Sequence, residues 1–127
     1  MSEKKIKLLV VDDMEGIREG VRFYFEDKGY SVFTAESAEL ASPIIKTETP
    51  DIILLDLDLP GMSGLDLLKL IRQFNNTVKV IMVSASNVNF LKDPRFRGLG
   101  ISEFIPKPFS FDELELAIKK SLELPNK

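Results

Sequence analysis

The chain has 127 residues, 44% hydrophobic and 29% charged, with 17 Lys and Arg against 20 Asp and Glu for a net charge of −3. That length suits a single domain spanning 1–127, and the mixed charge offers no basic footprint for direct nucleic-acid binding. Cys and His are both absent, which excludes disulfides, thiolate or imidazole metal sites, an imidazole base and a phosphohistidine of the chain's own. No apolar run approaches a membrane span, and Met1-Ser2-Glu3-Lys4-Lys5 opens no signal-peptide core. The expectation is a cytoplasmic protein with no membrane contact.

Strand-like and helix-like segments alternate along the chain. Ile6 to Val11 reads as a first strand. Ile17, Val21, Tyr24 and Phe25 then recur at helical spacing, and Gly29 ends that helix. Ser31 to Ala35 is a second strand, followed by a helix over Ala38 to Lys46 that Pro43 should kink or shorten. Asp51 to Leu55 is a third strand, with Leu65, Leu68 and Ile71 at helical spacing after it. Val78 to Val83 is a fourth. The helix expected between Asn87 and Leu99 contains Pro94. The alternative is Asp93 as N-cap with Pro94 at the first helical position, which gives a short fourth helix after a long loop from Ser86 to Lys92. Glu103 to Ile105 is a short fifth strand. The capping box Ser110-Phe111-Asp112-Glu113 opens the last helix, which Pro125 stops. The first, third and fourth strands are apolar with little alternation, as strands covered on both faces are. Five strand–helix units imply an α/β fold with a doubly wound, five-stranded parallel sheet.

In such sheets, ligands bind at the carboxyl ends of the strands. Asp12 and Asp13 end the first strand, Asp56 the third and Ser84 the fourth, and Lys107 follows the fifth. If strands one and three are neighbours, Asp12, Asp13 and Asp56 converge. Two like charges about 4 Å apart cost on the order of 4 kcal/mol at an effective dielectric near 20. Such a cluster calls for a cation or a shifted pKa, and its all-oxygen ligands suit Mg²⁺ or Mn²⁺. Lys107, the Ser84 hydroxyl and the Ala85 amide would complete a cradle for a phosphoryl group on Asp56. Taken singly, each residue has a plainer reading. Asp12 or Asp13 caps a helix, Ser84 and Asp58 sit in turns, Lys107 is a solvated loop lysine, and Phe104 is a core aromatic. The joint placement at successive strand ends favours chemistry.

The ordered set Val-Val-Asp12-Asp13, Asp56-Leu-Asp58-Leu-Pro60-Gly-Met-Ser-Gly64, Val83-Ser84-Ala85 and Lys107-Pro108-Phe109 resembles the receiver domain of bacterial two-component response regulators, from about Lys5 to Leu122. The resemblance implies a flavodoxin-like sheet of order 2-1-3-4-5. It implies that Asp56 accepts a phosphoryl group from a sensor histidine kinase or phosphotransfer protein. Asp13 and Asp56 would hold Mg²⁺ with the backbone carbonyl of Asp58, and Asp12 through water. Ser84 and Lys107 would hold the phosphoryl oxygens, and Phe104 would turn inward as Ser84 moves. The implied output is a downstream protein, an output domain or a phosphorylation-dependent homodimer, engaged through the face of helix 4, strand 5 and helix 5. The chain would receive a phosphoryl group rather than act as an enzyme, apart from catalysing its own dephosphorylation.

Two rivals remain at this level. Asp56-Leu-Asp58 also looks like the nucleophile motif of haloacid-dehalogenase-type phosphohydrolases, with Asp58 as general acid. There the acidic pair follows the nucleophile, whereas Asp12-Asp13 precedes it. A receiver-like module that is never phosphorylated would lack one of the key groups, and none is missing. Two further expectations concern detail. The Asp58 side chain should lie near the path of a water attacking the acyl phosphate, with an effect of either sign on its decay. Phe90 and Phe96 flank Pro94 and should form an incompletely buried patch ringed by Arg95 and Arg97.

Overall fold

The computed structural model describes residues 4–86 and 92–124. Five parallel strands form one sheet in the order β2-β1-β3-β4-β5. They are β1 (Lys7–Val11), β2 (Ser31–Ala35), β3 (Ile52–Asp56), β4 (Lys79–Ser84) and β5 (Ile101–Pro106). The helices are α1 (Glu15–Asp27), α2 (Ala38–Glu48), α3 (Gly64–Phe74) and α4 (Phe111–Leu122). This is the expected doubly wound, flavodoxin-like arrangement.

The sheet divides the core in two because successive side chains point to opposite faces. Leu9, Val11, Ile53, Leu55, Val80 and Met82 pack with Ala41 and Ile45 of α2 and Leu67, Leu68 and Ile71 of α3. Leu8, Val10, Ile52, Leu54, Ile81 and Val83 pack on the other face with Val21 and Phe25 of α1 and Leu114 and Ile118 of α4. Both faces of the central strands are therefore dry, which is why their sequences run apolar without alternation.

The helix ends follow their sequence signals. Ser37, Ser63 and Ser110 each accept a hydrogen bond from the backbone N–H three residues on, and Ser110 and Glu113 form the full capping box. Gly29 follows α1 at φ 94°, where a side chain would be strained.

Three expectations need correction. Pro43 does not shorten its helix, since α2 runs two residues beyond Lys46 to Glu48. Pro43 is exposed, so water can reach the carbonyl left without its donor one turn back. The fourth α-helix is absent among the described residues. The short alternative stands there instead, as a single 3₁₀ turn, Pro94–Phe96, with Asp93 as its cap accepting the Arg95 N–H and Pro94 at its start. Gly98 at φ 77° and Gly100 at φ 69° turn the chain straight into β5, so no helix extends past the turn. The fourth strand–helix unit is thus incomplete in what is described, and most of its expected loop, with Phe90, lies outside the described residues. Finally, Phe96 is not part of an exposed patch. It is 6% exposed and packs in the core on the α2/α3 face, because the tight turn aims it inward beneath Arg95, whose guanidinium lies 5.5 Å from the ring centroid.

Candidate functional site at the carboxyl edge of the sheet

The order β2-β1-β3-β4-β5 places the ends of β1, β3, β4 and β5 side by side. Val11 is level with Leu55, Asp56 with Val83, and Ser84 with Pro106. The residues singled out from sequence therefore meet at one edge. One oxygen each of Asp12, Asp13 and Asp56 lie within 4.8 Å of one another. Asp12 and Asp56 are buried and Asp13 is exposed.

Backbone contacts fix these acids. The Asp12 N–H donates to the Ala35 carbonyl at 3.1 Å. Its Oδ1 accepts the Met14 N–H at 2.9 Å, and the Arg18 guanidinium donates to its carbonyl at 2.9 Å. Asp56 Oδ1 accepts the Asp58 N–H at 2.9 Å. The other oxygens of the two buried acids converge on Lys107, whose Nζ lies 3.0 Å from Asp12 Oδ2 and 3.1 Å from Asp56 Oδ2. Lys107 is thus pinned rather than mobile. Its N–H donates to the Ser84 carbonyl at 2.9 Å, and its peptide bond to Pro108 is cis.

Burial is the main influence on Asp56 and pushes its carboxyl above the ordinary value. The Asp58 N–H and Lys107 oppose this, and the Asp12 charge adds to it. Burial pulls Lys107 down, but hydrogen bonds and charge from Asp12 and Asp56 outweigh it and hold the ammonium above its ordinary value. One ammonium touches two of the three clustered carboxylates, so the cluster keeps room for a cation. Its all-oxygen donor set fits a hard divalent ion.

The sign of the linkage follows. Asp56 titrates higher in the fold than in the unfolded chain, so its ionisation destabilises the fold. That penalty is absent below the unfolded carboxylate range and is complete above the folded pKa. Without metal at neutral pH, Asp56→Asn and Asp13→Asn should each raise the melting temperature, by about 3–5 °C for roughly 1 kcal/mol. For Asp56→Asn the gain should vanish in acid. Millimolar Mg²⁺ should stabilise the wild type more than either variant. Equal metal responses in all three proteins would remove the ion from this cluster.

The Ser84 hydroxyl, fully buried at the end of β4, makes its hydrogen bonds to groups other than the Lys107 ammonium. Its Oγ donates to Asp58 Oδ2 at 2.7 Å and accepts the Ser86 N–H at 2.9 Å. The Asp58 carboxylate, expected near the path of an attacking water, is thus engaged by Ser84. Ala85 is exposed and lines, with Met14, Ile17, Lys107 and Phe109, an apolar cleft of about 470 Å³ beside the acids. Phe104 is half-buried against the α2/α3 core cluster.

Sequence reading missed two positioning residues. Gly64 opens α3 where any Cβ would strike the Asp56 carbonyl oxygen. Its signal was the Ser-Gly pair at the helix start. Arg72 on α3 donates to the carbonyls of Leu99, Asn75, Val78 and Gly100. Nothing in the local pattern set it apart from a solvated helix arginine.

Comparison with known proteins gives this arrangement a class. The chain belongs to the response regulator receiver domain family, whose model matches residues 8–119. It is a receiver domain of the two-component response regulators. Among its relatives is sporulation initiation phosphotransferase F of Bacillus subtilis, 35% identical over 119 residues that cover 93% of this chain and 94% of that one. The alkaline phosphatase synthesis transcriptional regulatory protein PhoP of the same organism is 36% identical over 91% of this chain, which spans only 48% of PhoP's length. A CheY-like receiver domain from Methanospirillum hungatei superposes with a TM-score of 0.87 at 28% identity, over 94% of this chain and 95% of that one. The chemotaxis regulator CheY4 of Vibrio cholerae gives 0.84 at 25% identity, over 93% and 99%. Among the described residues, no helix is long and apolar enough to cross a membrane.

Proposed function

We propose that this chain takes a phosphoryl group onto Asp56 from a phosphohistidine of a sensor histidine kinase or phosphotransfer protein. The observation that carries the reading is Lys107 Nζ, within 3.1 Å of Asp56 and 3.0 Å of Asp12 at the edge where the Asp13 carboxylate also converges. An Asp56 oxygen attacks phosphorus as the donor's phosphorus–nitrogen bond breaks. The imidazole leaves with the bonding electrons and takes up a proton from solvent. Lys107 exchanges part of its contact with Asp56 for a phosphoryl oxygen, and Ser84 and the Ala85 N–H supply further donors. Mg²⁺, held by Asp13 and Asp56 with the Asp58 backbone carbonyl and by Asp12 through water, would add positive charge against the phosphoryl oxygens.

Output would run from Ser84 to Phe104, which turns inward and reshapes the face of the Pro94–Phe96 turn, β5 and α4. Leu116, half exposed on α4, lies beside a shallow cleft with Glu103, Phe104 and Lys120 there. A downstream protein, an output domain or a second copy of the chain would read that face in the cytoplasm, with no direct role for nucleic acid or membrane. The family matched is that of receivers rather than phosphohydrolases, and a relative named for phosphotransfer supports the same reading.

Acetyl phosphate with Mg²⁺ should raise the intact mass of the wild type by one phosphoryl group and leave Asp56→Asn unchanged. A variant that still gains the group at the same rate would place the acceptor elsewhere.

A further inference from the structure

We propose that Asp58 is a positioning residue that competes with the phosphoryl group for Ser84. This deepens the phosphoacceptor reading and rests on it. A serine hydroxyl has one proton and donates to one acceptor at a time. Here the proton goes to the Asp58 carboxylate at 2.7 Å, while the hydroxyl oxygen accepts the Ser86 N–H at 2.9 Å. Ser86 Oγ makes a longer contact to the other Asp58 oxygen, at 3.5 Å. The hydroxyl of a fully buried side chain is therefore committed on both sides. Its partner is charged, and charge-assisted hydrogen bonds are roughly twice as strong as neutral ones.

Asp58 is itself anchored on the acceptor strand, since its N–H donates to Asp56 Oδ1. The backbone next to the acceptor thus presents the carboxylate that holds Ser84. A group on Asp56 gains the Ser84 hydroxyl only by displacing Asp58 from it. The resting contact lowers affinity for the phosphoryl group, because the differential contacts of the two states set the equilibrium between them. Asp58 is exposed, so the released carboxylate is solvated by water.

The probe is beryllium trifluoride with saturating Mg²⁺, titrated calorimetrically into wild type, Asp58→Ala, Ser84→Ala and the double variant. Removing a negative charge near an anion site tightens binding by itself, so the reading comes from the coupling between the two positions. Asp58→Ala should bind about tenfold more tightly than wild type, equivalent to about 1.4 kcal/mol. In the Ser84→Ala background the same change should alter binding less than about twofold. Asp58→Asn keeps an acceptor oxygen without the charge and should fall between wild type and Asp58→Ala. It carries the same cycle if Asp58→Ala does not fold. Equal tightening in both backgrounds, or no tightening in the wild-type background, overturns the competition while leaving Asp56 as acceptor. A wild type that neither binds beryllium trifluoride nor takes a phosphoryl group from acetyl phosphate overturns the phosphoacceptor reading, and the competition with it.

Discussion

Gly64→Ala should destabilise the protein by about 3 kcal/mol and, on the phosphoacceptor function proposed above, abolish phosphoryl uptake. A Cβ at this position would fall far inside van der Waals contact with the Asp56 carbonyl oxygen and 2.9 Å from Leu57 Cα. Both obstacles are backbone, so no side chain can swing aside. The Gly64 N–H also donates to the Leu57 carbonyl at 3.2 Å, which ties the start of α3 to the end of β3. To admit a methyl group, α3 must back away from β3, yet Leu65, Leu67, Leu68 and Ile71 anchor α3 in the core. The strain therefore reaches Asp56, whose carboxylate must stay near Lys107 and the other acids. Gly16, in the first turn of α1, has nothing within 4 Å of its Cβ position. Gly16→Ala should be neutral or stabilising by up to about 1 kcal/mol, from helix propensity. Urea denaturation of the pair, with the mass assay for phosphoryl uptake, checks this. Similar stabilities for the two variants would remove the close approach as the reason for glycine at 64.

Arg72→Ala should cost about 3–5 kcal/mol, and Arg72→Lys should restore less than half of that. The guanidinium reaches the carbonyls of Leu99 at 2.7 Å, Val78 at 2.8 Å, and Asn75 and Gly100 at 3.2 Å. Burial lowers its pKa below the usual arginine value, and it remains a cation. The two shortest bonds alone, at roughly 1.5–3 kcal/mol for hydrogen bonds to a charged group, account for the expected loss. A lysine offers a point charge and cannot span carbonyls from both ends of the connection between α3 and β5. Where an α-helix was expected before β5, this fork ties Leu99 and Gly100 to α3. It thereby sets where β5 begins and, at the other end of that strand, where Lys107 stands. A loss below about 1 kcal/mol in denaturant titration would show that water replaces the arginine without penalty.

The strands were legible in sequence because burial on both faces writes an unbroken apolar run, as in Ile52–Leu55. The helix starts were legible because Ser37, Ser63 and Ser110 carry the capping chemistry that those ends require. Of the two readings of the fourth helix, the short one capped by Asp93 is what forms among the described residues, as a 3₁₀ turn rather than an α-helix, because Pro94 fits either start. What decided it was Gly98 and Gly100 at positive φ and the Arg72 fork arriving from another element. Phe96 was placed on the surface for the same reason: the direction of a side chain in an irregular segment depends on what the turn packs against.

At the site, the sequence by itself determined the kinds of group and the strand end that carries each: Asp12 and Asp13 just after β1, Asp56 at the end of β3, Ser84 at the end of β4 and Lys107 after β5. Those identities follow from local patterns, an apolar run ending in a polar residue. Only the tertiary structure decided their partners. It buried Asp12 and left Asp13 exposed, brought one ammonium to two carboxylates, and turned the Ser84 hydroxyl to Asp58. The physical reason is range. Strand and helix periodicity is set by neighbours a few residues apart, whereas the Lys107 contact to Asp56 spans 51 residues and the Ser84 contact to Asp58 spans 26. Such distances exist only once the strand order has brought those ends together.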